Sequence, residues 1–347
     1  MKPIFRIVAD GSDITALIND RLLLLRTLDK PGMESDEFEL RIDDRERAIS
    51  LPKKGAKIEI YLGYDSKALG RLGRYTVDDI EVSGPPDTLV IRGKASDMRG
   101  SGKTIRSGSW ENAQLSKIVA DIAARNGWRP ECPVRMVLPR ADQLNESDYN
   151  FITRLAKDHD CTAKVADGNL LVLPRQYGQT ASGKNLSVIT IWRSDVSRWQ
   201  FRFSDRTTQK AVKARYQDKK TGELVNLTLD NDDVPDGLPP VHTDRHIHPN
   251  KSAAEQAAKA RLAAFNRSTA EARLEMVGRT DLFAERQINA QAFKEGLDGE
   301  YLVDSVEQVF TRAGWSTTVG CNAGKKGKAK AASRKQKKTK DVKVLEL

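Results

Sequence analysis

At 347 residues, 31% of them charged and 39% apolar, the chain is long enough for two or three domains with cores of their own. No run approaches the ~20 apolar residues of a membrane-spanning helix. The Leu22–Leu25 run, set between Arg21 and Arg26, is too short for a signal-peptide core, which argues against a membrane-embedded or signal-directed protein. Of the net charge of +10, +8 lies between Lys325 and Leu347, where ten Lys and Arg meet only Asp341 and Glu346; the body is near neutral and the basicity belongs to a tail.

Residues 1–100 read as strands. Phe5 and Ile7, then Phe38, Leu40 and Ile42, then Ile58, Ile60 and Leu62 alternate with polar neighbours, and Gly, Pro and Asp separate the runs. This is the pattern of a small β-barrel or sandwich. From 101 to about 185 the period changes to an α+β insert. Ser109 is placed to cap a helix carrying Leu115, Ile118, Val119, Ile122 and Ala123, stopped by Asn126-Gly127. A second helix starts near Ser147, and Asp167-Gly168 marks a hairpin turn. Strand spacing returns over 186–321, with Trp199, Phe201 and Phe203 alternating with Gln200 and Arg202. A Pro-, Asp- and His-rich loop is expected at 230–250, and a capping box at Ser252–Glu255 opens one helix near 252–266. From Asn322 to Leu347 aromatics and periodicity are lost, so a disordered Lys-rich tail is expected. The fold class is therefore mainly β: two antiparallel β-barrel modules, a small α+β domain and a basic tail.

The two modules share a sequence. Gly73-Arg74-Tyr75-Thr76-Val77-Asp78-Asp79-Ile80-Glu81 returns as Gly299-Glu300-Tyr301-Leu302-Val303-Asp304-Ser305-Val306-Glu307. Gly73, Tyr75 and Val77 stand at the offsets of Gly299, Tyr301 and Val303. The copies lie too far apart for a solenoid, so a duplicated module is inferred.

Chemistry-bearing residues read as structural. Glu146 and Asp148 could be paired glycosidase carboxylates, but beside Ser147 they are better placed as a helix start. His159, Asp160 and Cys161 are chain neighbours at a helix end and do not make a converging nucleophile and base. His242, His246 and His248 with Asp244 have metal-compatible spacing, but the surrounding composition predicts solvated loop histidines. Trp192, Trp199, Phe201 and Phe203 with Arg193, Arg198 and Arg202 could stack nucleic acid, but their alternation predicts one core face and one charged face. Cys132, Cys161 and Cys321 are odd in number and widely spaced, so inert thiols are expected. No catalytic residue, cofactor or metal is predicted. Val342, Val344, Leu345 and Leu347 alternate enough to add a strand to a partner's sheet, and the Lys-rich end could contact DNA phosphates.

Three stretches resemble one family. They are Asp13-Ile14-Thr15 through Leu28-Asp29-Lys30-Pro31-Gly32-Met33-Glu34-Ser35-Asp36; Asn145-Glu146-Ser147-Asp148-Tyr149-Asn150-Phe151-Ile152-Thr153-Arg154-Leu155-Ala156; and Tyr301 through Phe310 with Gly314-Trp315-Ser316-Thr317-Thr318. In order and spacing, over roughly residues 3–320, the chain resembles the late control gene D proteins of contractile-tailed phages. These are baseplate hubs, related to the hubs of R-type pyocins and to the N-terminal half of type VI secretion VgrG spikes. The Lys-rich end has no counterpart in that pattern, nor is there the His usual near Glu307 or Gln308. The resemblance implies a non-enzymatic homotrimer in the virion tail or a tail-like particle, assembled in the host cytoplasm. Its implied partners are the central spike, the tail tube or tape-measure protein and other baseplate proteins. Two other functions stay open from sequence: a tail-associated peptidoglycan hydrolase using Glu146, and a DNA-binding tail protein using the Lys-rich end.

Overall fold

The alternation of apolar and charged residues from Pro3 to Lys94 produces strands, because every second side chain leaves water while its neighbours stay wet. In the computed structural model, residues 2–33, 36–65, 68–95, 101–180, 183–204, 208–218, 220–234 and 240–330 are described. The first stretch forms β1 (Pro3–Ala9), β2 (Ser12–Asp13), the short helix α1 (Thr15–Ile18), β3 (Leu22–Asp29), β4 (Glu37–Asp43), β5 (Lys57–Tyr64), β6 (Gly70–Ser83) and β7 (Thr88–Lys94). Six of these strands pair antiparallel in the order β3-β4-β7-β6-β5-β1. Ile7, Leu25, Leu40, Ile60, Val77 and Leu89, one from each strand, are buried in a single cluster, so the sheet curls round one core. Each such Ile or Leu contributes roughly 1.5–3 kcal/mol by leaving water. Among the described residues no ladder closes β1 onto β3, and the barrel is open there.

The insert differs from expectation at its start. Residues 110–114, expected as the first turn of a helix capped by Ser109, belong to strand β8 (Ile105–Gln114), and α2 (Leu115–Asn126) begins only at Leu115, where the helical stripe itself begins. Strand β8 lays Trp110 almost flat on Phe151, with ring centroids 5.1 Å apart, which fixes its alternate residues as one face. The helix ends as its sequence predicts, with Gly127 at φ 69° and its N–H returned to the last turn. Then follow β9 (Arg129–Glu131), β10 (Val137–Ser147), α3 (Asp148–Asp158), β11 (Cys161–Ala166) and β12 (Asn169–Pro174). The β11–β12 hairpin turns at Asp167 (φ 50°) and Gly168 (φ 76°). It is clipped to the first curled sheet by Arg71, whose two Nη atoms donate to Asp167 at 3.0 and 3.1 Å. Lys164 Nζ lies 2.7 Å from Asp29 and 2.8 Å from Asp36.

A second curled sheet follows, made of β13 (Ile189–Trp192) and β14 (Val196–Phe203), then, after an excursion, β18 (Ala270–Val277), β19 (Gln287–Gln291), β20 (Gly299–Thr311) and β21 (Gly314–Asn322). The excursion, expected as barrel strands and a loop, is a layer of its own. It holds β15 (Ala211–Gln217), β16 (Leu224–Asp230), β17 (Val241–His248) and α4 (Lys251–Arg267), with Ala254 and Ala258 packed on Val212 and Ala214. The histidine segment is strand β17, parallel to β15, rather than a solvated loop. Helix α4 is capped not by Ser252 but by Asn250, whose Oδ1 accepts from Ala253 N at 2.9 Å. The Lys-rich end is held past Asn322. Ala323 N donates to Arg267 O, Lys328 N to Thr269 Oγ1 at 2.8 Å, and Ala329 N to Asp233 Oδ2 at 2.6 Å. Val342, Val344, Leu345 and Leu347 lie outside the described residues.

Candidate assembly interface

The registers of the two curled sheets coincide. In the first, Ile58 pairs with Tyr75 and Ile60 with Gly73; in the second, Ile288 pairs with Tyr301 and Ala290 with Gly299. Both central strands bulge at the same offset. Asp78 is the extra residue between Val77 and Asp79, and Asp304 the extra residue between Val303 and Ser305. A second pair of bulges also matches, at Leu23 of β3 and Ser197 of β14. Bulges re-aim a strand and are built features, so agreement at two positions marks β3-β4-β7-β6-β5 and β14-β18-β21-β20-β19 as one design used twice. The outermost strands differ: β1 is antiparallel to β5, whereas β13 is parallel to β19. Tyr75 and Tyr301, like Val77 and Val303, are buried at equivalent places.

The two sheets are joined edge to edge. The C-terminal half of β20 pairs antiparallel with β3, Val306 opposite Asp29 through Phe310 opposite Leu25. Polar chemistry lies on one face of this seam, where Arg26 Nε donates to Glu307 Oε1. Apolar packing lies on the other. Phe310 meets Phe5 edge-on at 5.3 Å, and Trp315 packs 5.1 Å from Tyr64, so both second-sheet rings belong to the first core. Tyr64 Oη donates to Gly278 O at 2.9 Å. A Cβ on Gly278 would fall 2.0 Å from Trp315, which explains the glycine at this corner.

This arrangement has relatives. The family model for the phage tail baseplate hub (GPD) matches residues 37–314. The chain belongs to that family. The "Probable baseplate hub protein" of Escherichia phage P2 is 29% identical over 369 residues, covering 92% of each chain. In fold, the hub chain resembles the 43 kDa tail protein of prophage MuSo2 from Shewanella oneidensis, with a TM-score of 0.69 and 16% identity over 92% of this chain and 98% of that one. It also resembles an Escherichia coli component of the type VI secretion system, with a TM-score of 0.54 and 11% identity over 87% and 73%.

The other singled-out residues of the hub chain have local work. Ser147 Oγ accepts from Asn150 N at 3.2 Å, as an N-cap. Asp148 is fully buried, taking hydrogen bonds from Asn126 (2.8 Å) and Gln143 (2.9 Å), with Arg106 and Arg125 within 3.7 Å, while Glu146 pairs with Arg154. Both acids are therefore engaged in holding α3 and β10, and nothing in this geometry favours the hydrolase reading. Cys161 is buried with its thiol pushed up to about 12 by desolvation, and burial lowers the His159 pKa. Asp160 is tied to Arg267 at 2.6 Å and to Lys325 at 3.2 Å. His248 pairs with Asp244 at 3.1 Å and His242 packs on Phe265, so these groups do not converge on a shared point. Trp199 and Phe201 pack with Phe293 on one side of β14, while Arg198 and Arg202 lie on the other.

Proposed function

We propose that three copies of this hub chain form a closed ring of six nearly equivalent curled sheets, joining a sixfold tail tube to a threefold spike. The observation that carries this reading is the matched pair of registers and bulges within one chain. Three chains that each carry a unit twice give a ring that is threefold in sequence and close to sixfold in shape. The decorations are unequal in the way such an adaptor requires. Among the described residues, only the second copy carries the β15–β17 and α4 layer between its first two strands; in the first, β3 ends at Asp29 and β4 begins at Glu37. Surfaces kept alike would meet the tube, and surfaces that differ would meet the spike. The role is structural, in the baseplate of the virion tail, with the ring's opening left for passage of DNA.

Solution mass, measured with and without spike protein, tests the reading. Three chain masses are expected, binding one spike trimer. A chain that stays monomeric both alone and in assembled tail particles would end it.

A further inference from the structure

The seam inside the chain has an unused counterpart. Strand β3 covers residues 306–310 of β20. The equivalent of β3 is β14, and the equivalent of 306–310 is 80–84, at the end of β6. Among the described residues, β14 pairs only with β18, and residues 79–83 of β6 pair only with β7. Each chain thus uses one seam and exposes both halves of another.

The exposed halves carry the marks of a missing neighbour. Leu25 is 1% exposed, but its equivalent Trp199 is 41% exposed; Gln308 is 3% exposed, but its equivalent Val82 is 57%. An exposed edge with apolar side chains pairs readily unless something covers it.

We propose that β14 of one copy anneals antiparallel to the end of β6 of a second copy, with Phe203 opposite Ile80, Arg202 opposite Glu81, Phe201 opposite Val82 and Gln200 opposite Ser83. This register is the β20–β3 register transferred through the equivalences above. It rests on the ring reading and supplies its contact. The register keeps the faces in phase: Ile80 and Val82 meet Phe203 and Phe201 on the core side, and Glu81 meets Arg202 on the polar side. Charge agrees as well, since Glu81 lies opposite Arg202, with Asp79 two positions away on its own strand. Within one chain Asp79 and Glu81 share Arg92, at 2.9 and 3.0 Å, and among the described residues Arg202 reaches only Glu271, at 4.0 Å. Repeated head to tail, the contact alternates with the internal seam, and a heterologous contact of this kind closes into a ring when its rotation divides the circle.

The test is oxidation of E81C/R202C, purified and in assembled tails, beside the out-of-register pair E81C/R198C, both in a C132S background. Opposed residues in paired strands have Cβ atoms about 4.5–5.5 Å apart, close to disulfide reach. The expected result is covalent product ending at three chain masses for the first pair and none for the second. A complementary readout is charge exchange: E81R and R202E should each lower the trimer fraction, and the double variant should restore it. A particle of three chain masses with neither crosslink nor charge rescue would overturn this seam and leave the ring standing. A chain monomeric throughout would overturn both. Crosslinked ladders running past three would uphold the seam and overturn the threefold ring.

Discussion

Trp315 donates its indole N–H to the side-chain oxygen of Gln308 at 2.9 Å, beneath the seam where the two sheets meet. The same oxygen accepts from Thr317 Oγ1 at 2.6 Å, and Gln308 Nε2 donates to Arg279 O at 2.8 Å. All three side chains are buried. Gln308→Leu would keep the volume and strip partners from an indole N–H, a hydroxyl and a carbonyl. Thr317 Oγ1 and Arg279 O keep each other as partners, so the indole N–H is the group left bare, and a loss of about 1–3 kcal/mol is expected. Urea unfolding of the purified chain checks it.

Asp148 and Glu146 should separate structure from catalysis. Asp148→Ala strips an acceptor from Asn126 and from the buried Gln143, while Arg106 and Arg125 lose a counter-charge but keep contact with water, and should cost about 1–3 kcal/mol. Glu146→Gln removes a pair with the half-exposed Arg154 and should cost less than ~1 kcal/mol. Zymograms on peptidoglycan check the second variant. Clearing by the parent chain that E146Q loses would refute the structural role given to this acid.

The contribution of Asp36 to stability should fall as pH rises from about 4 to about 7. Desolvation raises the Asp36 pKa to about 7, against the pull of Lys164. Across that window the folded chain keeps a proton that the unfolded chain releases near 4, so this group favours unfolding increasingly, by up to about 1.4 kcal/mol per pH unit. Above pH 7 both states are ionised and the contribution levels off. Denaturation midpoints at pH 5 and pH 7.5 should differ in the parent, and the difference should shrink in Asp36→Asn.

Thiol reactivity should sort by burial. Cys161 and Cys321 are buried and both thiols are pushed upward by desolvation; Cys132 is half-buried and raised for the same reason. A maleimide at pH 7 should label Cys132 slowly and the other two only in denaturant. Mass spectrometry of the labelled peptides reads the order directly.

Strand periodicity and the duplicated nonapeptide were legible because both are local. Tyr75 and Tyr301 occupy equal positions, and Asp78 and Asp304 stand in the repeat as plain matches. That these two aspartates are bulge residues was not legible, since a bulge is defined by the opposite strand. Residues 110–114 were misread as helix because their order comes from a remote partner strand: β8 pairs antiparallel with β10, Trp110 opposite Ala141 and Gln114 opposite Val137. The Lys-rich segment 325–330 reads as solvated tail from composition. Its anchors, Gln176, Asp233 and Thr269, are all remote in sequence. The seam between β20 and β3 left no local trace, because Arg26 and Glu307 meet across 281 positions of chain.

The long excursion between β14 and β18 leaves and re-enters the sheet at adjacent points, where Ser204 N meets Thr269 O at 3.0 Å. A segment clipped at its base in this way, and moored elsewhere by Arg267 on Asp160 and Asp233 on Ala329, has the layout of a cassette whose outer turns can be lengthened or trimmed without entering the strands beneath. Lineages could thereby refit what the particle displays while leaving its framework untouched, and a protein engineer could graft cargo at the same hinge.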